Sequence, residues 1–175
     1  MNWQELVTEV YKRTTREVEQ ILDGLSVEDL HKRPSPGANS VGWLLWHAAR
    51  SMDRVVGDCI LGEQLWVSDG WHERFGLPPD PQNTGYGHSD AQVSGLRIPD
   101  AGTLLDYHYA VMNVMLGYLE SVAEDELAVD YPCSVEPGLK LPVHARITSN
   151  IHDIQHVGQA GYVRGLIKGH GWYGK

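Results

Sequence analysis

Four stretches of this chain repeat apolar residues every three to four positions, the mark of amphipathic helices. In the first, Leu6, Val10, Thr14, Val18, Ile21 and Leu25 share one face, and Asn2 is placed to cap a helix running to about Gly24. Ser26-Val-Glu-Asp29 reads as a capping box for one short turn, after which Arg33 to Asn39 breaks the pattern with two prolines and a glycine. Ser40 then caps a second helix that runs to about Leu61 and stops at Gly62. Its apolar face is Val41, Leu44, Leu45, Ala48, Met52, Val55 and Cys59. His47 falls at the edge of that face, beside Trp43, Ser51 and Arg54, a flank suited to lining a pocket.

From Glu63 to Asp100 no long helical pattern survives. Ser68 to Gly76 reads as one short helix, ended by Gly76 and the prolines at 78, 79 and 81. The segment carries Trp66, Trp71, Phe75, Tyr86 and His88, enough aromatic surface to predict that it packs on the body as a lid or wall over a site. The third helix covers about Gly102 to Val122, with Leu104, His108, Val111, Met115, Tyr118 or Leu119, and Val122 on one stripe, so His108 is expected to face inward. Asp130 to Pro142 reads as a loop with room for a short hairpin, and the fourth helix as Pro142 to Gly169. Four helices of roughly 20–28 residues with one long crossover between the second and third predict an all-α four-helix bundle.

The fourth helix contains His152-Asp-Ile-Gln-His156-Val-Gly-Gln159. Residues four apart lie about 40° from each other around a helix, so both imidazoles leave one face, one turn apart. The stripe continues through Gln159, Val163, Leu166 and Ile167, which predicts that the pair looks inward. Nine histidines in 175 residues make such a pair common by chance, so its weight depends on a third partner. If the second and fourth helices are neighbours, His47 joins His152 and His156 around one divalent ion with a coordination position left open. Imidazole suits zinc, nickel, copper and iron alike.

Composition bounds the rest. A chain of 175 residues reads as one domain, able to bury about 70% of its unfolded surface. Its net charge of −9, from 14 basic and 23 acidic residues without a basic stripe, makes nucleic acid a poor partner. Met1 to Val10 carries a Glu where a signal peptide needs an apolar stretch, and the longest apolar run, Val41 to Trp46, is far shorter than a membrane span. Cys59 and Cys133 form no metal or disulfide framework, Cys59 being placed on a core face and Cys133 in a loop. A reduced cytoplasmic protein, not bound to membrane, is the expectation.

Pro36-Gly-Ala-Asn-Ser-Val-Gly-Trp-Leu-Leu-Trp-His47, a long aromatic loop, and His152-x-x-x-His156-x-Gly-Gln159 together resemble the DinB-like (damage-inducible) superfamily of metal-binding four-helix bundles. The resemblance implies a divalent metal, often zinc or nickel, on His47, His152 and His156. It also implies a frequent homodimer, and a small-molecule activity in the relatives that transfer or isomerise with bacillithiol or mycothiol. On that footing the expected function is transfer of a low-molecular-weight thiol to an electrophile, with a metal-dependent hydrolase or a non-catalytic metal-binding stress protein as alternatives. Trp43, Arg54, His88, His108 and Gln159 are the candidate pocket or supporting residues; Arg54, and less strongly Arg50, could hold a carboxylate of the thiol, and Tyr107 could handle a proton. Peptidase chemistry of the H-E-x-x-H type is not expected, because Asp153 is one methylene short of that Glu and Gln159 and Tyr162 stand where the extended signature needs Gly and His.

Overall fold

The structure is a computed structural model that describes residues 2–134, 138–149 and 151–173. Asn2 opens helix α1 (Trp3–Leu22) with a reciprocal cap, its side chain accepting from the Glu5 N–H at 2.8 Å while the Glu5 carboxylate accepts from the Asn2 N–H at 3.0 Å. The buried face is Tyr11, Thr14, Val18, Ile21 and Leu22, with Trp3 and Val7 packed partly against it. Leu6 and Val10, expected on that face, are exposed. The first two turns are rotated by one residue because Tyr11, not Val10, turns inward, where its hydroxyl donates to the Ile147 carbonyl at 3.0 Å. Ser26 and Asp29 cap the single turn α2 (Val27–His31) as the sequence suggested.

Ser40 caps α3 (Val41–Val56), accepting from the Trp43 N–H at 3.2 Å. The helix continues through one π-helical turn, Gly57–Leu61, and stops at Gly62 with φ 81°. A one-sided helix was expected, yet every α3 residue except Ser51 and Arg54 is buried. The crossover accounts for the difference, because it covers the side of α3 that the bundle leaves open. It holds α4 (Leu65–Ser68), α5 (Trp71–Arg74) and α6 (Asp90–Gly95), so the single helix expected over Ser68 to Gly76 is instead two short ones separated at Asp69 and Gly70. Trp66, Trp71 and Phe75 gather around Tyr107, with ring centroids 5.7, 5.2 and 5.7 Å away. Tyr86 does not join them and is 88% exposed.

A buried polar cluster fastens this crossover. Arg50, wholly buried, donates to the carbonyls of Asp80, Pro81 and Asn83 and to the Gln64 side chain, and lies over the Trp66 ring at 4.3 Å. Its partner Asp53, 3.2 Å away, also accepts from the Leu65 and Trp66 N–H groups at 2.8 Å and the Tyr107 hydroxyl at 2.7 Å. Every oxygen and nitrogen removed from water here has a partner, which is what makes the burial of two charges tolerable.

Asp100 caps α7 (Ala101–Ser121), whose buried side is Leu104, Tyr107, His108, Val111, Met112, Met115 and Leu119. Strands β1 (Asp130–Pro132) and β2 (Lys140–Pro142) pair antiparallel with Tyr131 opposite Leu141, the expected short hairpin, though its tip at 135–137 lies outside the described residues. The last helical stretch starts at Val143 and is described as α8 (Val143–Ser149) and α9 (Ile151–Lys168); Asn150, expected inside one helix, lies outside the described residues. Arg146 of α8 pairs with Asp58 of the π turn at 3.2 Å and donates to the Pro132 carbonyl at 2.8 Å. Cys59 and Cys133 are buried free thiols, and burial pushes Cys59 up to about 11. The four long helices close a ring in which α3 packs on α9 and α7, and α1 packs on α7 and α9. That arrangement makes the second and last long helices neighbours.

Candidate metal centre

Along α9 the buried residues are Asp153, Val157, Ala160, Val163 and Arg164. His152, Gln159 and Leu166 are exposed and His156 is half-buried, so the stripe expected to look inward lies one residue off the buried face. Gly158, Gly161 and Gly165 remove the apolar anchors that would have fixed the phase. The histidine pair therefore sits on the flank of α9 where it meets α3, open to solvent on one side.

His47 rises to meet it from the buried α3. Its Nε2 stands 3.4 Å from His152 Nε2, which stands 3.0 Å from His156 Nε2, and the three nitrogens lie within 4.8 Å of one another. Nitrogens bound at ~2.0–2.1 Å to one tetrahedral ion are about 3.4 Å apart. Proton placement sharpens the fit. The Thr84 carbonyl can only accept, so it fixes the proton of His47 on Nδ1; the Gln159 Oε1 does the same for His156 Nδ1 at 2.7 Å. Both Nε2 atoms are thereby left as bare lone pairs beside His152, whose single Nε2–H could satisfy only one of them. A cation relieves that crowding of lone pairs. Burial, opposed in part by the Thr84 bond, lowers His47 to about 4, with the neighbouring histidines adding to the shift. Burial likewise lowers His152, helped by His156 and by the charge of Arg54. Neutral rings are what ligation needs.

The crossover completes the inner wall. Trp43 stacks on His47 with centroids 4.8 Å apart and donates its indole N–H to His88 Nδ1 at 3.3 Å. That leaves the His88 proton on Nε2, which donates to Asn83 Oδ1 at 2.9 Å. His88 is thus a brace between Trp43 and the crossover, and Arg50 and Tyr107, with every polar atom engaged in the Asp53 cluster, fasten the crossover instead of facing a substrate. His108 lies apart, buried in the bundle, with its Nε2 3.1 Å from the Thr15 hydroxyl and its pKa lowered by burial to about 4. Arg54 does stand at the site's edge, close enough for its charge to act on His152 and Asp153.

Asp153, weighed in the sequence only against the Glu of a peptidase signature, lies on the buried face of α9. It shares a small internal cavity with His108, Met52 and Val157, and burial raises its pKa well above the usual carboxylate range, with Arg54 opposing. Among the described residues its Oδ1 has no hydrogen-bond partner. Only its i+1 place after His152 distinguished it in the sequence, and that place does not mark it as interior. No helix among the described residues is long and apolar enough to cross a membrane.

This chain resembles a solved structure, a conserved protein of Enterococcus faecalis, at 27% identity over 97% of this chain and 99% of that one, with a TM-score of 0.83. No curated protein matches. The sequence profile of the DinB superfamily matches residues 11–160, a span that takes in α3 and α7 whole, more than half of α1 and of α9, the crossover, and all three converging histidines. The chain belongs to the DinB superfamily.

Proposed function

We propose that His47, His152 and His156 hold a divalent transition metal, zinc or nickel, and that the protein transfers a low-molecular-weight thiol of the mycothiol or bacillithiol type to an electrophilic small molecule. The observation that carries the metal is the meeting of three Nε2 atoms, two of them stripped of their protons by Thr84 and Gln159. Such an ion, when bound, keeps a thiol in its nucleophilic thiolate form near neutral pH. Trp43 and the Thr84–Gly85 backbone hold the His47 ring and keep water from its buried side, while the exposed side of His152 and His156 leaves an approach for a small molecule. Arg54 supplies positive charge beside His152 for an anionic group. Thiol transfer is favoured over hydrolysis because Asp153, the carboxylate next to a ligand, is buried inside the bundle and away from the open side of the histidines, out of reach of a water there. The functional unit is a homodimer, as the resemblance implies, a point for analytical ultracentrifugation.

The test supplies mycothiol or bacillithiol and a model electrophile to metal-loaded, metal-free and His47→Ala protein. Conjugate forming only in the loaded wild type supports the proposal. A full equivalent of metal in His47→Ala overturns the site. Metal that raises the melting temperature without turnover overturns the transferase and favours a binding protein.

A further inference from the structure

Beside the histidines runs a groove of about 920 Å³ between α9 and the link that joins α2 to α3. Asn39 and Pro34 stand on the link side, Gln155, Gly158 and Tyr162 on the α9 side, and Leu44 of α3 lies beneath. Gln159, whose Oε1 holds the His156 Nδ1 proton, lines the same groove, so the groove opens directly beside the metal centre. Its volume is that of a small-molecule site.

Among the described residues the lining carries no Asp, Glu, Lys, Arg or His. A charged group moved into it would lose hydration and gain no counter-charge, while the net charge of −9 repels anions from the surroundings. Three primary amides, Asn39, Gln155 and Gln159, offer donors and acceptors to a neutral polar group. Tyr162 and Leu166 add apolar surface that is 70% and 56% exposed. Gly158 stands among these groups with nothing within 4 Å of the place its β carbon would occupy, so the wall is open there.

We infer that this groove binds an uncharged organic molecule with an aromatic or alicyclic body and a neutral hydrogen-bonding group, presenting it to the histidine centre. The groove is a subsite for one reactant; the inference rests on the metal reading for the direction in which the molecule is presented, not for binding itself.

The probe is a matched pair: neutral N-phenyl-1-naphthylamine and its anionic analogue 1-anilinonaphthalene-8-sulfonate, titrated by fluorescence into zinc-free and zinc-loaded protein. The neutral arene is expected to bind about tenfold or more tightly than the sulfonate in both forms. Gly158→Leu fills the open wall and should weaken the neutral arene about tenfold, with zinc content unchanged. Gly158→Ala, which suits a helix interior, should melt at or above the wild-type temperature and certifies that the position tolerates a side chain. Should Gly158→Leu fail to fold, Leu166→Gln on the exposed rim must weaken the arene instead. Equal affinities for the two dyes, or an unchanged affinity in the folded groove variants, overturn the inference. A protein that binds the arene in the groove but takes up no zinc sinks the metal reading and leaves this one standing.

Discussion

Gly85 and His47 are held so close that a β carbon on Gly85 would stand 3.0 Å from the His47 Nδ1. The same atom would meet the Trp46 ring at 3.0 Å and the Trp43 ring at 3.1 Å, and the backbone there has φ +90°, where an L side chain is strained. Gly85→Ala is therefore expected to cost about 1–3 kcal/mol of stability and to displace the Thr84 carbonyl from His47. Denaturant unfolding gives the first quantity. Zinc titration calorimetry gives the second, as a fall in affinity of about tenfold or more.

Gln159 separates metal affinity from stability. It is exposed, yet it fixes the His156 proton at 2.7 Å. Gln159→Leu should leave the metal-free unfolding free energy within a few tenths of a kcal/mol of wild type and lower zinc affinity by about 10–100-fold. Unchanged affinity would mean that His156 needs no such brace.

Asp53 does the reverse. Its carboxylate joins Arg50, Tyr107 and two amides of α4, all out of water. Asp53→Ala leaves the Arg50 guanidinium buried without its counter-charge and should lose about 3–5 kcal/mol. Hydrogen exchange at the Leu65 and Trp66 amides should accelerate well beyond exchange in α1, because the crossover comes loose from α3 before the bundle opens.

The metal-free protein should lose stability on mild acidification. His108, lowered by burial from 6.5 to about 4, stays neutral in the folded chain while the unfolded chain takes up its proton. The unfolded state then binds more protons, so this contribution is complete above pH 6.5 and declines as the pH falls toward 4. His47, lowered to a similar value, adds to the slope. His108→Gln, which keeps a partner for the Thr15 hydroxyl, should flatten the fall in unfolding free energy measured between pH 7 and 4.5.

The helices and their caps were legible because Asn2, Ser26, Ser40 and the apolar spacing act locally. The three histidines were legible because their spacing and family pattern survive in the linear sequence. What failed to show was phase and wholesale burial. Histidines on the flank of α9 masqueraded as its inward stripe because that face is built from Asp153, Ala160 and Arg164 instead of leucines. Likewise nothing local marks Arg50 and Asp53 as interior, since their burial is created by a crossover whose contacts arrive 12 to 33 residues later in the chain. A charged residue is hidden by its partners, and partners are a property of the fold.

His47 and His152 are 105 positions apart, and the Thr84 carbonyl that readies His47 belongs to a third segment. A nascent chain leaving the ribosome exposes His47 long before its companions have been synthesised. The trio assembles only after the crossover has closed and the C-terminal helix has docked. An ion held there as proposed would be captured at the end of biogenesis, and would seal a finished bundle in place of nucleating it.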